Sequence, residues 1–215
     1  GALTAVAGGP FAAGTAPRSV AVDHNSQWTY VANSGSNSVS AYAIDGNTGS
    51  LTPVGAPLAT GTTPAAVTVD PSGRFVYVAN EGSNNVSGFT INPANGALAS
   101  IGGPVAVGTA PRSVAVDPSG QWAYVVNQGS NTVSVFAVNR VSGTLTAVGV
   151  PVAAGTAPRS VTVDPSGRFV YVANETSNNV SAFRINNLTG ALTAVSAAVA
   201  VGTNPVSVTV DPSGR

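Results

Sequence analysis

Cysteine and methionine are absent from the 215 residues, and so is lysine: the eight basic residues are all arginine. Without cysteine there is neither a disulfide framework nor thiolate chemistry, and redox reasoning gives no hint of compartment. Charge is scarce too, at 7% of residues against roughly 25% in an average soluble domain. Six aspartates and two glutamates balance the arginines to a net charge of zero. That balance removes the sequence-independent attraction to phosphate backbones and anionic membranes, so nucleic acid is not an expected partner. No apolar run approaches the roughly 18 residues of a membrane-spanning helix, and the chain opens into LTAV without a visible leader, although one could already have been removed. A surface so poor in charge must be coated with Ser, Thr, Asn and Gly, which suits a secreted, cell-surface or periplasmic setting. Apolar residues make up 43%, enough for a packed core.

What is present is repetition. Pro17, Pro64, Pro111, Pro158 and Pro205 are each 47 residues apart, and Asp23, Asp70, Asp117, Asp164 and Asp211 keep the same step. A chain of near-copies is one repeat array rather than a set of unrelated domains. The units run 17–63, 64–110, 111–157 and 158–204, with partial units at 1–16 and 205–215. The units starting at 111 and 158 agree at more than half of their positions.

Within the unit from Pro111, four β-rich runs follow one another: SVAVD, WAYVVN, TVSVFAVN and TLTAVGV. The first two are joined by Asp-Pro-Ser-Gly, where proline presets φ and glycine takes a left-handed conformation. The next turn repeats Asn-x-x-Ser-Asn, whose side chains close turns on their own backbone. A glycine (Gly49, Gly96, Gly143, Gly190) stands two residues before the leucine that opens the fourth run. Both faces of these strands are apolar or small, so each sheet needs neighbours on both sides. Four-stranded antiparallel sheets repeating at this period, each sandwiched between copies of itself, predict an all-β chain of β-propeller blades. No segment holds a 3.6-residue period, which excludes a helical repeat.

YVAN at 30–33, 77–80 and 171–174, and YVVN at 124–127, together with SVAVDPSG and the Gly-x-Leu-Thr turn, resemble the signature of YVTN-repeat propellers, which belong with the lactonase-like seven-bladed group. The resemblance covers the whole chain. It implies a propeller and admits lactone hydrolysis, but members of the group differ widely in function.

Four full units, an outer-type strand near residues 2–7 with an extra residue at Gly8 and Gly9, and an inner-type strand near 206–211 make an incomplete ring. Seven blades at this period need roughly 330 residues. Each bare blade face would expose about 300 Å² of mostly apolar surface. The sequence is therefore expected to be a piece of a longer propeller, its missing blades supplied by the parent chain, or a subunit that associates with itself.

Alternating strand direction places Arg18, Arg112 and Arg159, just before the first strands, on one rim with Glu81, Gln128 and Glu175; Ala65, Val206 and Ser34 interrupt the pattern. This partial arginine ring at the channel mouth either holds an anionic or carbonyl-bearing ligand, helped by the carboxylates, or is blade-to-blade ion pairing. The lone His24 stands on the other rim, where the other units have proline, and carries no expected catalytic role. Asp70 with Arg74, and Asp164 with Arg168, read as cross-turn pairs or Asx caps. One aspartate per unit on separate turns does not converge on a metal, so neither metal nor cofactor is expected. Trp28, Phe75, Trp122 and Phe169 share one repeat position and read as wedges between blades. Sequons at Asn85, Asn174, Asn179 and Asn187 arise from the repeat's own turns.

Two functions remain in view. The residues favour a non-enzymatic scaffold or binding module whose rim takes a protein, a carbohydrate or a small anionic ligand. The alternative, implied by the resemblance, is a lactone hydrolase with Arg112, Arg159, Glu81 and Glu175 at the channel mouth. Against it, these residues sit at recurrent positions, whereas a hydrolytic site usually breaks the repeat.

Overall fold

The computed structural model describes residues 5–211, all of them in strands, turns and connections. The first sheet contains β1 (Pro17–Val22), β2 (Trp28–Asn33), β3 (Ser38–Ile44), β4 (Leu51–Pro53) and β5 (Leu58–Ala59). The second contains β6 (Pro64–Val69), β7 (Phe75–Asn80), β8 (Asn85–Ile91), β9 (Leu98–Ser100) and β10 (Val105–Ala106). The third is built from β11 (Pro111–Val116), β12 (Trp122–Asn127), β13 (Thr132–Val138), β14 (Leu145–Ala147) and β15 (Val152–Ala153). The fourth comprises β16 (Pro158–Val163), β17 (Phe169–Asn174), β18 (Asn179–Ile185), β19 (Leu192–Ala194) and β20 (Val199–Ala200). Every pairing is antiparallel, and the first four strands of each sheet lie side by side in chain order, so each sheet is a propeller blade with its first strand innermost.

The outer strand differs from expectation. It is not one run but two short pieces, both paired with the third strand: Tyr42, Ala43 and Ile44 face Pro53, Thr52 and Leu51, while Ser38 and Val39 face Ala59 and Leu58. Val54 still donates its amide to the Ala41 carbonyl at 2.8 Å, and residues 55–57 then bulge out because Gly55, at φ 66°, turns the chain away from the sheet and Pro57 has no N–H to offer a ladder.

The turns form as their residues dictate. In the second blade, Asp70 Oδ1 accepts the amides of Arg74 and Phe75 at 2.8 and 2.7 Å, and Oδ2 accepts the Ser72 amide at 3.0 Å and its hydroxyl. These aspartates are buried and cap their own hairpins. Asx capping is therefore the answer for Asp70 and Asp164, and neither forms an ion pair among the described residues. In Asn-x-x-Ser-Asn every polar member has a task. Asn33 is fully buried and donates to Ser38 and Ser40. Ser36 accepts the Thr15 amide, and Asn37 accepts the amide of Thr63 at 2.7 Å, the residue that leads into the next blade.

Packing between blades makes the core. Tyr30, Ala32, Val39 and Ala41 of the first blade meet Val67, Val76, Val78, Phe89 and Ile91 of the second, and two equivalent clusters join the second to the third and the third to the fourth. Each fully buried Val or Phe contributes roughly 1.5–3 kcal/mol relative to exposure, so most of the stability lies in this stacking. Aromatic wedges behave as expected. A Cβ on Gly96 would stand 2.3 Å from the Trp28 ring of the preceding blade, and one on Gly190 would stand 2.3 Å from Trp122. Only glycine lets the turn and the ring meet. The Tyr30, Tyr77 and Tyr124 hydroxyls donate to the carbonyls of Gly96, Gly143 and Gly190 across the same interfaces.

The two terminal strands are not found. Residues 1–4 lie outside the described residues, and 5–7 form no strand; in place of a bulge there is a turn, with Gly8 at φ 83° and the Gly9 amide on the Val6 carbonyl. Residues 206–211 also form no strand, and among the described residues no strand pairs with them. The Val208 amide still donates to Ser160 Oγ at 3.2 Å, as Val67 does to Ser19 and Val161 to Ser113.

Candidate functional site

The channel-mouth rim is built from the starts of the inner strands and the loops between second and third strands. In each blade the residue before the leading proline (Ala16, Thr63, Ala110, Ala157) is left-handed, at φ 50–55°. Its carbonyl accepts the amide of Ser34, Glu81, Gln128 or Glu175 at 2.9–3.0 Å. That contact fixes the loop residue beside the strand start. Next the ladder slips: Pro111 pairs with Asn127 and Ser113 with Val126, so Arg112 is left over as a bulge residue. The same slip occurs at Arg18, Ala65 and Arg159. A bulge residue has no ladder position to keep and aims its side chain away from the regular alternation.

All six residues expected at this rim come together in one hydrogen-bonded chain. Arg18 Nη1 donates to Glu81 Oε2 at 2.6 Å, and Arg112 Nη1 donates to the same oxygen at 2.7 Å. Arg112 Nε donates to Gln128 Oε1 at 2.6 Å, Gln128 Nε2 to Glu175 Oε2 at 3.1 Å, and Arg159 Nη1 to Glu175 Oε1 at 2.6 Å. The order along the rim is Arg18, Glu81, Arg112, Gln128, Glu175, Arg159, and it spans all four blades. Ala65 explains the sharing. With no arginine of its own, the second blade's Glu81 takes one guanidinium from each neighbouring blade.

Arg112 is the most enclosed member, with 18% of its side chain exposed against 37% for Arg18 and 32% for Arg159. Its burial pulls its proton affinity down and the Glu81 carboxylate pulls it up, with a net lowering; a guanidinium remains charged throughout. Three arginines and two glutamates leave the rim one positive charge in excess. Glu175 uses both of its oxygens in the chain, whereas Glu81 receives both arginines on Oε2, and among the described residues Oε1 makes no hydrogen bond. The geometry therefore presents guanidinium N–H groups beside one open carboxylate oxygen at a water-accessible mouth. These are groups that bind a carboxylate or lactone carbonyl and accept a proton from water.

The other residues singled out in the sequence lie elsewhere. His24 is exposed on the opposite rim. No group of three or more His, Asp or Glu that could hold a metal occurs among the described residues, and no helix is long and apolar enough to cross a membrane. Of the sequons, Asn174 is fully buried, Asn85 and Asn179 accept from Asn80 and Asn174 inside the loops, and Asn187 alone stands on an exposed turn.

Sequence reasoning missed one feature. A cleft of about 560 Å³ lies on the opposite rim between the second and third blades, lined by Pro71, Ser72, Arg74, Pro118, Arg140 and Val141 among others. Arg140 had signalled it: it replaces Gly46, Pro93 and Asn187 of the other units.

The family model described as "Lactonase, 7-bladed beta-propeller" matches residues 1–157 and again 113–210. Among solved structures, a Bacteroides uniformis protein provisionally named a 6-phosphogluconolactonase superimposes with a TM-score of 0.80 at 20% identity, covering 87% of this chain and 56% of that one. A Bacteroides fragilis protein with the same provisional name gives 0.77 at 25% identity, with coverage of 89% and 56%. The periplasmic gluconolactonase of Pseudomonas aeruginosa gives 0.74 at 25% identity, with coverage of 87% and 55%. The chain thus spans a little over half the length of these proteins. No curated protein matches the sequence.

Proposed function

Because the chain belongs to the lactonase family of seven-bladed β-propellers, we propose that its channel-mouth rim serves the hydrolysis of a sugar-acid lactone. The observation that carries this is the single chain of three guanidinium groups, two carboxylates and one amide across four blades. The kinship with a gluconolactonase supports the substrate class.

In this reading Arg112 and its neighbours hold the lactone carbonyl and the negative charge that grows on its oxygen. Glu81, through its open Oε1, takes a proton from water as the water oxygen bonds to the carbonyl carbon. The ring C–O bond then breaks, the departing alkoxide regains a proton, and the hydroxy acid leaves as a carboxylate. The two arginines on Oε2 hold the Glu81 carboxylate in place.

A second reading, a binding scaffold, is favoured by a specific observation: every member of the rim sits at a recurrent position and already has a partner within the rim. Turnover separates the two. With the intact protein and δ-gluconolactone, Arg112→Ala and Glu81→Gln should each lower kcat/KM by about a hundredfold or more over the spontaneous rate. Turnover indistinguishable from the uncatalysed rate would leave the scaffold, and turnover unchanged by both substitutions would move catalysis away from this rim.

A further inference from the structure

The two rims treat their arginines differently. At the channel mouth every guanidinium touches a carboxylate, two of them sharing Glu81, whereas Arg74 and Arg140, at the cleft on the far rim, have no ion-pair partner among the described residues. The carboxylates nearest to them are already committed. Asp70 and Asp117 are buried, and each spends its oxygens on the amides and serine hydroxyl of its own hairpin. Two positive charges therefore border a cleft of about 560 Å³, within the range of small-molecule sites.

Arg74 is held in place before any ligand arrives. Its Nη1 and Nη2 donate to the carbonyls of Arg140 and Val141 in the next blade, at 2.9 and 3.3 Å, and its guanidinium lies 5.2 Å from the centre of the Phe75 ring. The contact binds the Arg140 turn to the second blade and brings both arginines to one side of the cleft. Pro71, Pro118 and Val141 supply apolar surface, and Ser72 and Ser119 supply polar edges.

The neighbouring cleft is a natural control. Between the third and fourth blades the same hairpins enclose about 390 Å³, but Gln121 stands where Arg74 does and Asn187 where Arg140 does. Arg74 recurs as Arg168 in the fourth unit, but Arg140 has no arginine counterpart in the other units, so among the described residues the pair of unmatched charges meets at this one cleft.

We propose that the cleft between the second and third blades binds a small organic oxyanion, a sugar-sized molecule bearing a phosphate or carboxylate, with Arg74 and Arg140 clasping the anion and Pro71, Pro118 and Val141 lying against its body. The site is separate from the channel mouth and does not depend on catalysis there.

Calorimetric titration of the intact protein at low salt with glucose 6-phosphate, gluconate and inorganic phosphate tests this. One equivalent of glucose 6-phosphate or gluconate should bind, and whichever binds more tightly identifies the anionic group; inorganic phosphate should bind at least about tenfold more weakly than the better sugar anion. Arg140→Gln should weaken binding about tenfold or more without shifting the unfolding midpoint or the lactone turnover, since its side chain is exposed and remote from the mouth. The double substitution Gln121→Arg with Asn187→Arg should create a second equivalent. Affinity unchanged in Arg140→Gln, or no binding below about 10 mM of any probe, overturns the proposal. Binding abolished by Arg112→Ala and not by Arg140→Gln overturns it too, by placing the anion at the mouth.

Discussion

Val20 and Val67 occupy the same place in consecutive blades, yet Val20 is 65% exposed and Val67 only 7%. The sheets around them are alike: both strands slip at the same bulge and pair in the same register with the strand that follows. What differs is the neighbour, since Val67 is covered by the first blade and no blade among the described residues covers Val20. On the opposite outward face, Val195 and Val199 are likewise exposed at 52% and 61%, where Val148 and Val152 of the third blade are partly buried. A blade's hydrogen-bond ladder is thus fixed inside the unit, and its stability is fixed between units.

Substitutions at equivalent positions can break that comparison. The largest contrast is expected at the turn glycines, all left-handed. A Cβ on Gly143 would stand 2.4 Å from Phe75 and 2.6 Å from Ile101, whereas on Gly49 its nearest contact is Val6 at 3.5 Å. Gly143→Ala should cost about 3 kcal/mol from backbone strain plus overpacking, and Gly49→Ala about 1 kcal/mol from strain alone; urea midpoints measure both. Next, Val67→Ala should cost about 2 kcal/mol and Val20→Ala less than about 0.5 kcal/mol. Equal costs would mean that the interface does not hold the stability.

The tyrosines give a smaller contrast. Tyr77→Phe removes a buried hydrogen bond to Gly143 and should cost about 1 kcal/mol, while Tyr171→Phe, at the half-buried end position, should be close to neutral. Burial, helped by the Asp70 carboxylate, also pushes the Tyr77 phenol well above its ordinary value, and Tyr30 and Tyr124 are raised in the same way. Below the ordinary phenol pKa of 10.0 both folded and unfolded chains keep the proton, so these groups add no pH dependence. Above it the unfolded chain releases protons that the folded chain retains, and stability should fall with rising pH. Tyr77→Phe should reduce that slope. The smallest effect is expected at the first hairpin, where Ser26 takes the left-handed conformation, at φ 55°, that Gly73, Gly120 and Gly167 take elsewhere. Ser26→Gly should stabilise by about half a kcal/mol in thermal unfolding.

The repeat made the blades legible because turn chemistry is local: Asp-Pro-Ser-Gly and Asn-x-x-Ser-Asn carry their own closing bonds. The splitting of the outer strand was not read, although Gly55 and Pro57 carried the hint, because TLTAVGV has enough β-branched and apolar character to pass for one run. The rim residues were found by their repeat positions. Their connectivity was not, since Glu81 accepting from two other blades depends on distances across the stack that no spacing encodes. The cleft with Arg74 and Arg140 escaped for the same reason: its two arginines are 66 residues apart and belong to different hairpins.

The bulge at the start of each inner strand has a lasting consequence. Its residue is arginine in three blades and alanine in the second, and the ladder on either side is indifferent to the exchange. Selection can therefore rewrite the mouth one socket at a time, by point changes or by shuffling whole copies, while the scaffold stays out of reach of the edit. Divergent specificities among proteins of this build need no new architecture, only different occupants of the same slots.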